Sequence, residues 1–368
     1  MTIMTHATPP PATAATRPLR VGFLALTDAA PLIVAQHRGL FTRRGLEVEL
    51  RREVGWATIR DKVLYGELDA AQAPAPMLWA AQLGLGCGRT DVCTGFIFNL
   101  HGNAITLSTR LWADGIRDSN ALREEALRRR GENKLTFGIV FEHSMHHVLL
   151  RQWLRDARLD PDRDVRIAVV PPAQMFRNLV AGTLDGYCAG EPWNTLAVQQ
   201  RGGWCPSWSA ALSPGHVEKV LMVRSGFASR YANEHRRMIG ALVEAARWCD
   251  EPQNRAEVAQ ILSAPAYLDL PADVIAPALL GRFSPHPGQV ESVPDFHVFS
   301  KGDANAPTAA RAATLQAELV AAGLVPRGQL SSNLPKNLFR EDLYRSALTH
   351  TDTHANSSQH PDGAFLPA

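Results

Sequence analysis

The stretch Gly66-Glu67-Leu68-Asp69-Ala70 decides the fold, because its pattern returns as Gly182-Thr183-Leu184-Asp185-Gly186. Each copy follows an amphipathic stretch and opens a short apolar one, so each predicts a helix end followed by a strand. The residues ahead of the first copy predict a strand over 19–24, a helix over 29–38, a strand over 46–50 and a helix over 57–65.

The same order of elements precedes the second copy. The pattern there predicts a strand over 135–140, a helix over 145–157, a strand over 165–170 and a helix over 173–181. A Gly-x-Leu-Asp signature alone is a common way to end a helix. Its matching position in two β-α-β-α-β runs instead indicates a duplicated α/β lobe.

Two lobes of this kind predict a ligand cleft, because open parallel sheets bind ligands outside the carboxyl ends of their strands. Candidate crossover strands are 103–108 and 220–224. We expect a largely helical C-terminal part that packs back on lobe one. The predicted division is lobe one over 19–107 plus 225–348, lobe two over 108–224, and disordered ends over 1–18 and 349–368.

Composition narrows the class of protein. The 368 residues are 45% hydrophobic with a net charge of +2, which does not favour a nucleic-acid binder. No apolar run is long enough to span a membrane, and 1–17 does not resemble a secretory signal, so we expect a cytoplasmic protein. Free thiols are the simplest interpretation of the five scattered cysteines, Cys87, Cys93, Cys188, Cys205 and Cys249.

Loops after strand ends supply the candidate binding residues of lobe one. Asp28 can cap the following helix, with Pro31 in its first turn, and the free N–H groups after Thr27 suit an anion. Trp56 either lines a pocket or belongs to the lobe core. Lys219 either supplies positive charge to a small monoanion or forms a solvated pair with Glu218.

Lobe two offers a second set of candidates. Gly190 lets the backbone approach a ligand closely, and Glu191 is expected to be a structural acceptor, since a free carboxylate repels an anion. Any of His143, His146 and His147 could donate to an anion from a helix start. A zinc site lacks a second Cys/His group. No P-loop, Gly-x-Ser-x-Gly or His-Glu-x-x-His motif occurs, so we predict no catalytic residues, metal or cofactor.

Several of these segments together resemble the nitrate- and bicarbonate-binding proteins of ABC transporters and their soluble sensor relatives. The resemblance implies an α/β, two-lobed, periplasmic-binding-protein-like (type II) fold with a ligand cleft between the lobes. It runs from about residue 19 to 224, and more loosely to 348. The segments that carry it are 22–32, 56–62, 66–70, 75–77, 102–106, 190–194 and 218–220.

The resemblance also implies a ligand set. Ligand contacts of the nitrate binders match Trp56, Asn103, His146, Gly190 and Lys219. Bicarbonate relatives carry a calcium-linked acidic residue near the last position, so the lysine here favours nitrate or nitrite. The residues expected behind these contacts are Thr27, Asp28, Glu191, Pro192 and Trp193.

The function that this resemblance implies is that of a cytoplasmic nitrate/nitrite sensor, which closes on the anion and controls an ANTAR-type, NasT-like RNA-binding antiterminator of nitrate assimilation genes. We expect neither direct nucleic-acid binding nor membrane binding. Three alternatives stay open. They are a nitrate-binding receptor subunit of an ABC transporter, an enzyme resembling thiamine-pyrimidine synthases, and a receptor for a small organic ligand such as a sulfonate.

Overall fold

A computed structural model of the chain describes residues 17–129, 131 and 133–349. Most of the two ends that we predict to be disordered therefore lies outside the described residues. Two described residues of those ends are ordered parts of the fold. Arg17 donates two 2.8 Å hydrogen bonds to the carboxylate of Asp69, and Thr349 ends the last helix.

The strands of the described residues alternate with helices in the first half of each lobe, as the sequence predicts. In chain order they are β1 (Leu19–Phe23), β2 (Val48–Arg52), β3 (Ala70–Pro74), β4 (Val92–Cys93), β5 (Ile97–His101), β6 (Asn103–Ser108), β7 (Thr136–Ile139), β8 (Arg166–Val169), β9 (Gly186–Gly190), β10 (Gly203–Trp208), β11 (Val217–Arg224), β12 (Arg282–Phe283), β13 (Glu291–Ser292) and β14 (His297–Val298).

The helices cover the faces of the sheets and dominate after β11. They are α1 (Ala30–His37), α2 (Leu40–Arg43), α3 (Trp56–Tyr65), α4 (Met77–Leu83), α5 (Thr109–Ala113), α6 (Ser119–Arg128), α7 (Met145–Asp156), α8 (Met175–Val180), α9 (Trp193–Gln199), α10 (Ser209–Leu212), α11 (Ser225–Arg230), α12 (Ala232–Asp250), α13 (Arg255–Leu262), α14 (Ala272–Leu279), α15 (Ala309–Ala322), α16 (Leu334–Leu338) and α17 (Glu341–Thr349). Short 3-10 turns occupy Thr27–Ala29, Pro172–Gln174, Pro252–Asn254, Lys301–Asp303 and Arg327–Gln329.

Two sheets form the centres of the two lobes. Sheet one has the order β14-β5-β11-β3-β1-β2, with β4 also paired to β11, and sheet two has the order β10-β6-β9-β7-β8. In each sheet the three strands of the repeated unit are parallel, β2-β1-β3 in one and β8-β7-β9 in the other. An antiparallel strand follows in each, β11 beside β3 and β6 beside β9.

The repeated Gly-x-Leu-Asp signature has the same structural role in both lobes. The carboxylate of Asp69 accepts from the backbone N–H of Arg20 at 2.8 Å, and that of Asp185 accepts from the N–H of Thr136 at 2.8 Å. Each aspartate therefore ties the third strand of its unit to the first. Gly66 has φ 81° and Gly182 has φ 76°, a left-handed conformation that favours glycine at the end of a helix.

The sheets differ from the predicted division at both crossovers. Strand β6, of which we assigned all but the last residue to lobe one, lies in sheet two, and β11, which we assigned to lobe two, lies in sheet one. The reason is pairing: β6 hydrogen-bonds to β9 and β10, whereas β11 hydrogen-bonds to β3, β4 and β5. The strand β11 also begins at Val217, earlier than predicted, so Glu218 and Lys219 are strand residues.

We expected the C-terminal helices to pack on lobe one, but only some of them do. Helices α12 and α13 pack against α1 of lobe one, but α14 packs against α9, and α15 packs against α7, both in lobe two. A small apolar cluster joins Phe283 and Phe296 of the C-terminal part to Ala104 and Val198 of lobe two. The C-terminal part therefore connects the lobes. None of the described helices is long and apolar enough to cross a membrane.

Candidate functional site

Lobe one brings a lysine and two carboxylates together between the lobes. Asp28 lies in the turn after β1, and Glu218 and Lys219 are neighbours in β11. The Lys219 Nζ donates to Asp28 Oδ2 at 2.8 Å and to Glu218 Oε1 at 2.7 Å, and all three side chains are buried. In a regular strand the side chains of neighbouring residues point to opposite faces, yet those of Glu218 and Lys219 meet in one group. The register of β11 against β5 shifts on both sides of Lys219, so the strand is irregular at this point.

Polar neighbours complete the hydrogen bonding of both carboxylates. Gln72, in β3, donates to Asp28 Oδ1 at 2.5 Å. Asn103, the first residue of β6, donates from Nδ2 to Glu218 Oε2 at 2.6 Å, and His216 Nε2 lies 3.3 Å from the same oxygen. The Asn103 bond crosses from lobe two to lobe one, so Glu218 connects the lobes.

Two further residues face this group from either side. The ring of Trp56, at the start of α3, has its centroid 5.4 Å from Lys219 Nζ. His146, in the first turn of α7, has its Nδ1 3.8 Å from Glu218 Oε1. His147 instead bonds the backbone oxygen of Glu142 through Nδ1 at 2.8 Å. Of the three candidate histidines, His146 is therefore the one beside the buried lysine group.

Several buried polar atoms around this group have no hydrogen-bond partner among the described residues. A buried polar atom without a partner costs free energy, so a set of them between two lobes is typical of a site that a ligand completes. Trp56 Nε1 and Thr27 Oγ1 can donate, Asn103 Oδ1 can accept, and a neutral imidazole does one of each. The atoms are Thr27 Oγ1, Trp56 Nε1, Asn103 Oδ1 and both ring nitrogens of His146.

Gly190 sets the space at the centre of the site. A Cβ at this position would lie 3.3 Å from Leu26, 3.4 Å from Asn103 Oδ1 and 3.6 Å from Asp28 Oδ2. A methyl group here would therefore make one tight contact, with Leu26, and would lie against the polar atoms of Asn103 and Asp28. The residue after it, Glu191, forms a cis peptide bond with Pro192.

The turn after Gly190 fastens the lobes together. The Glu191 backbone oxygen accepts from the N–H of Thr27 at 2.8 Å, and Trp193 Nε1 donates to the Ala25 backbone oxygen at 3.2 Å. The Glu191 side chain stays in lobe two, where Oε2 accepts from the N–H of Thr195 at 3.1 Å. The structure we describe is therefore a closed form.

Burial and charge shift the pKa values of the ionisable groups. Burial raises the pKa of Asp28, although the Lys219 ammonium opposes the shift. Burial would raise the pKa of Glu218 as well, but Lys219 and His146 outweigh it and hold this pKa well below its usual range. Burial would lower the pKa of Lys219, but Asp28 and Glu218 raise it overall. Burial also lowers the pKa of His146 to about 3, so the imidazole is neutral near pH 7.

All five predicted ligand residues, Trp56, Asn103, His146, Gly190 and Lys219, come together around this group, although they come from five different elements. Two details differ from the predictions. Asp28 does not cap the following helix, because its carboxylate bonds to Lys219 and Gln72 instead. Lys219 does pair with Glu218, as one of its two interpretations holds, but the pair is buried instead of solvated, and Asp28 balances the lysine charge as well.

Sequence reasoning missed Gln72 and His216, and it considered Glu218 only as a possible surface partner of Lys219. A usable signal existed for Gln72, which is a polar residue within the otherwise apolar buried strand β3. None existed for the pairing of Glu218 with Asn103, which are 115 positions apart. The described residues contain no group of three or more His, Cys, Asp or Glu side chains that could hold a metal ion.

The chain resembles several known proteins. The model of the NMT1-like family matches residues 12–263. The nitrate import ATP-binding protein NrtC of Synechocystis sp. is 34% identical over 90% of this chain and 50% of its own length. The bicarbonate transport ATP-binding protein CmpC of Synechococcus elongatus is 38% identical over 84% of this chain and 46% of its own length. The chain thus spans about half the length of these curated relatives.

A solved structure extends the similarity to the whole fold. The crystal structure of the periplasmic nitrate-binding protein NrtA from Synechocystis PCC 6803 aligns with a TM-score of 0.85 and 26% identity, over 95% of this chain and 91% of that one. The predicted periplasmic-binding-protein-like fold is confirmed by this match.

Proposed function

Since the chain belongs to the NMT1-like family, we propose that it is a nitrate receptor whose two lobes close over the anion. The observation that carries the proposal is the set of buried, unpaired polar atoms of Thr27, Trp56 and His146 between the lobes. The similarity to NrtA, a nitrate-binding protein of the same fold, supports nitrate as the ligand.

The unpaired donors suit a small oxyanion. The Trp56 Nε1–H, the Thr27 hydroxyl and one His146 N–H are three donors, and nitrate carries three oxygens that only accept. In the closed form these donors are buried, so the oxygens of a bound anion satisfy them where water does not reach. Lys219 holds the carboxylates in place, but its charge is balanced by Asp28 and Glu218.

Closure follows from the placement of these donors on both lobes. Thr27, Trp56 and Lys219 belong to lobe one, whereas Asn103 and His146 belong to lobe two. An anion held by both sets favours the closed form, since a ligand shifts a conformational balance by its differential affinity for the two forms. Receptors of this kind close by a hinge motion.

The test is calorimetry with nitrate and nitrite, with chloride as a control anion. Trp56→Phe removes the indole N–H and keeps an aromatic ring, and we expect it to weaken nitrate binding by roughly 10- to 100-fold, the range of a hydrogen bond to a charged group. Trp204→Phe is the matched control, because Trp204 Nε1 is also buried without a partner but lies away from the site. Equal affinities for the two variants would contradict the proposed site.

Bicarbonate is a second candidate ligand. Asn103 donates from Nδ2 to Glu218, which fixes the orientation of the amide. Its Oδ1 is then a buried acceptor without a partner among the described residues. Bicarbonate carries an O–H that could donate to this oxygen, whereas nitrate carries no donor. Competition between the two anions, with and without calcium, decides the ligand. If bicarbonate displaces nitrate only at millimolar or higher concentrations, the result favours nitrate.

Two biological settings are open to such a receptor, nitrate transport and nitrate sensing. The relation to NrtC and NrtA supports a receptor of an ABC nitrate transport system. The cytoplasmic nitrate/nitrite sensor (NasS) that the sequence resembles is the other setting, with an ANTAR-type antiterminator as partner. A pull-down of purified antiterminator with the receptor, with and without nitrate, separates them. Capture that nitrate reverses supports the sensor, and absence of capture supports transport.

Binding without catalysis is also part of the proposal. The five cysteines are unpaired and four are buried, and burial raises the pKa of Cys93 to about 11 and that of Cys205 well above its usual range. Thiols held in the protonated form are poor nucleophiles. A panel of sulfonates and pyrimidines in the same calorimetric experiment tests the organic-ligand and thiamine-pyrimidine alternatives.

A further inference from the structure

The buried group between the lobes contains more negative than positive charge. Lys219 is a single ammonium, and Asp28 and Glu218 each place a carboxylate oxygen within 2.8 Å of it. Every one of these side chains is at most 1% exposed. A monoanion that enters this group therefore finds no uncompensated positive charge among these three side chains.

Two histidines and a glutamate also lie around this group. His146 faces Glu218 from α7, and burial lowers its pKa to about 3. His216, in the turn before β11, shares Glu218 with Asn103. Glu191 faces away toward Thr195, and burial raises its pKa to about 7.

Two histidines lie behind the site. Burial lowers the pKa of His101 to about 4, and the pKa of His297 is also well below its usual range because of burial. Neither is therefore a cation near pH 7. Like charges at close range in a buried site disfavour the ionised form, so an added anion favours proton uptake by one carboxylate.

We propose that the site takes up one proton together with the anion and that Asp28 carries it. The inference rests on the proposed function and deepens it by making a proton a second ligand of the same site. The proton comes from solvent, adds to the Asp28 carboxylate and is lost again when the anion leaves. On Oδ2, which lies beside Gly190, it turns an acceptor into an O–H that can donate to the anion.

The surroundings of the two carboxylates favour Asp28 over Glu218 as the proton site. Glu218 receives Lys219, Asn103 and His216, so its charge is well supported. Asp28 receives Lys219 and the neutral amide of Gln72. In the anion-free protein the pKa of Asp28 is already raised by burial, whereas that of Glu218 is lowered by its neighbours.

The proton count is measured by calorimetry of nitrate binding in two buffers with the same pH and different ionisation enthalpies. We expect an uptake of about one proton per nitrate, and an affinity that falls about tenfold for each pH unit over the alkaline part of a range from about pH 6 to 9. Binding of nitrate without proton exchange and without pH dependence overturns this inference and leaves the proposed function intact. No binding of nitrate at any pH overturns the proposed function itself.

Asp28→Asn identifies the proton site. This variant keeps a side chain that can bond to Lys219 and Gln72 but removes the carboxylate, so we expect it to bind nitrate without proton uptake and more tightly than the unmodified protein at about pH 9. Asp295→Asn is the matched control, since the Asp295 side chain is exposed and its ion pair is with exposed Lys301. It should keep the proton uptake.

Infrared spectroscopy gives a second measurement that does not depend on the affinity of the variant. Nitrate should induce the C=O stretch of a protonated carboxylic acid in the unmodified protein, and Asp28→Asn should remove that band. Proton uptake that persists in Asp28→Asn overturns the assignment to Asp28.

Discussion

Lys219 is the residue on which the buried charge group depends. Its ammonium is the shared partner of Asp28 and Glu218, at 2.8 Å and 2.7 Å. Its pKa is raised by these carboxylates despite burial, so it stays charged across the range in which proteins are usually studied. The main role of Lys219 is therefore to stabilise the two buried carboxylates, and its attraction for an anion is weaker because they balance its charge.

Replacing Lys219 should destabilise the fold strongly. Lys219→Met leaves two buried carboxylates without their cation, which typically costs about 3–5 kcal/mol in the free energy of unfolding. The measurement is urea unfolding, with Asp28→Asn/Lys219→Met as the comparison. The double variant should lose less stability than the single one, because one unpaired charge is removed. A single variant as stable as the unmodified protein would contradict the charge arrangement.

The turn between β9 and α9 is the element that joins binding to closure. Gly190 supplies the close approach, the Glu191 backbone oxygen accepts from Thr27, and Trp193 donates to Ala25. The Glu191 carboxyl is buried beneath this turn, and burial raises its pKa from 4.5 to about 7. Folding therefore favours its protonated form.

This element makes stability depend on pH. The folded protein keeps the Glu191 proton up to about pH 7, whereas the unfolded chain loses it near pH 4.5. The free energy of unfolding contributed by this group is thus fully present below pH 4.5 and should fall by roughly 3 kcal/mol as the pH rises through 7. Glu191→Gln should flatten this slope in urea titrations at several pH values. An unchanged slope would show that another group causes it.

The whole molecule combines two duplicated lobes with a C-terminal part that contacts both. Helices α12 and α13 pack on lobe one, and α14 and α15 pack on lobe two. Three hydrogen bonds of the described residues join the lobes at the site, and they are the Asn103–Glu218, Thr27–Glu191 and Trp193–Ala25 pairs. The balance between open and closed forms should therefore respond to single changes at these pairs.

The Trp193–Ala25 bond offers the simplest test of that balance. Trp193→Phe removes the N–H that reaches Ala25 and keeps a large apolar side chain, so the closed form should lose about 1 kcal/mol and nitrate affinity should fall several-fold. Small-angle scattering should show a larger radius of gyration for this variant at subsaturating nitrate. Trp204→Phe serves as the control, and equal scattering curves for the two variants would contradict the closing role of Trp193.

The sequence by itself determined the two duplicated lobes, because alternating strand and helix patterns and the repeated Gly-x-Leu-Asp signature are local features. It also indicated the five residues that meet between the lobes, through their resemblance to a family. The tertiary structure alone decided which sheet β6 and β11 join, which histidine faces the site and how Lys219 is balanced. The physical reason is that strand pairing and the balance of buried charges depend on residues far apart in the sequence. Asp28 and Lys219, for example, are 191 positions apart, and no local sequence pattern specifies their contact.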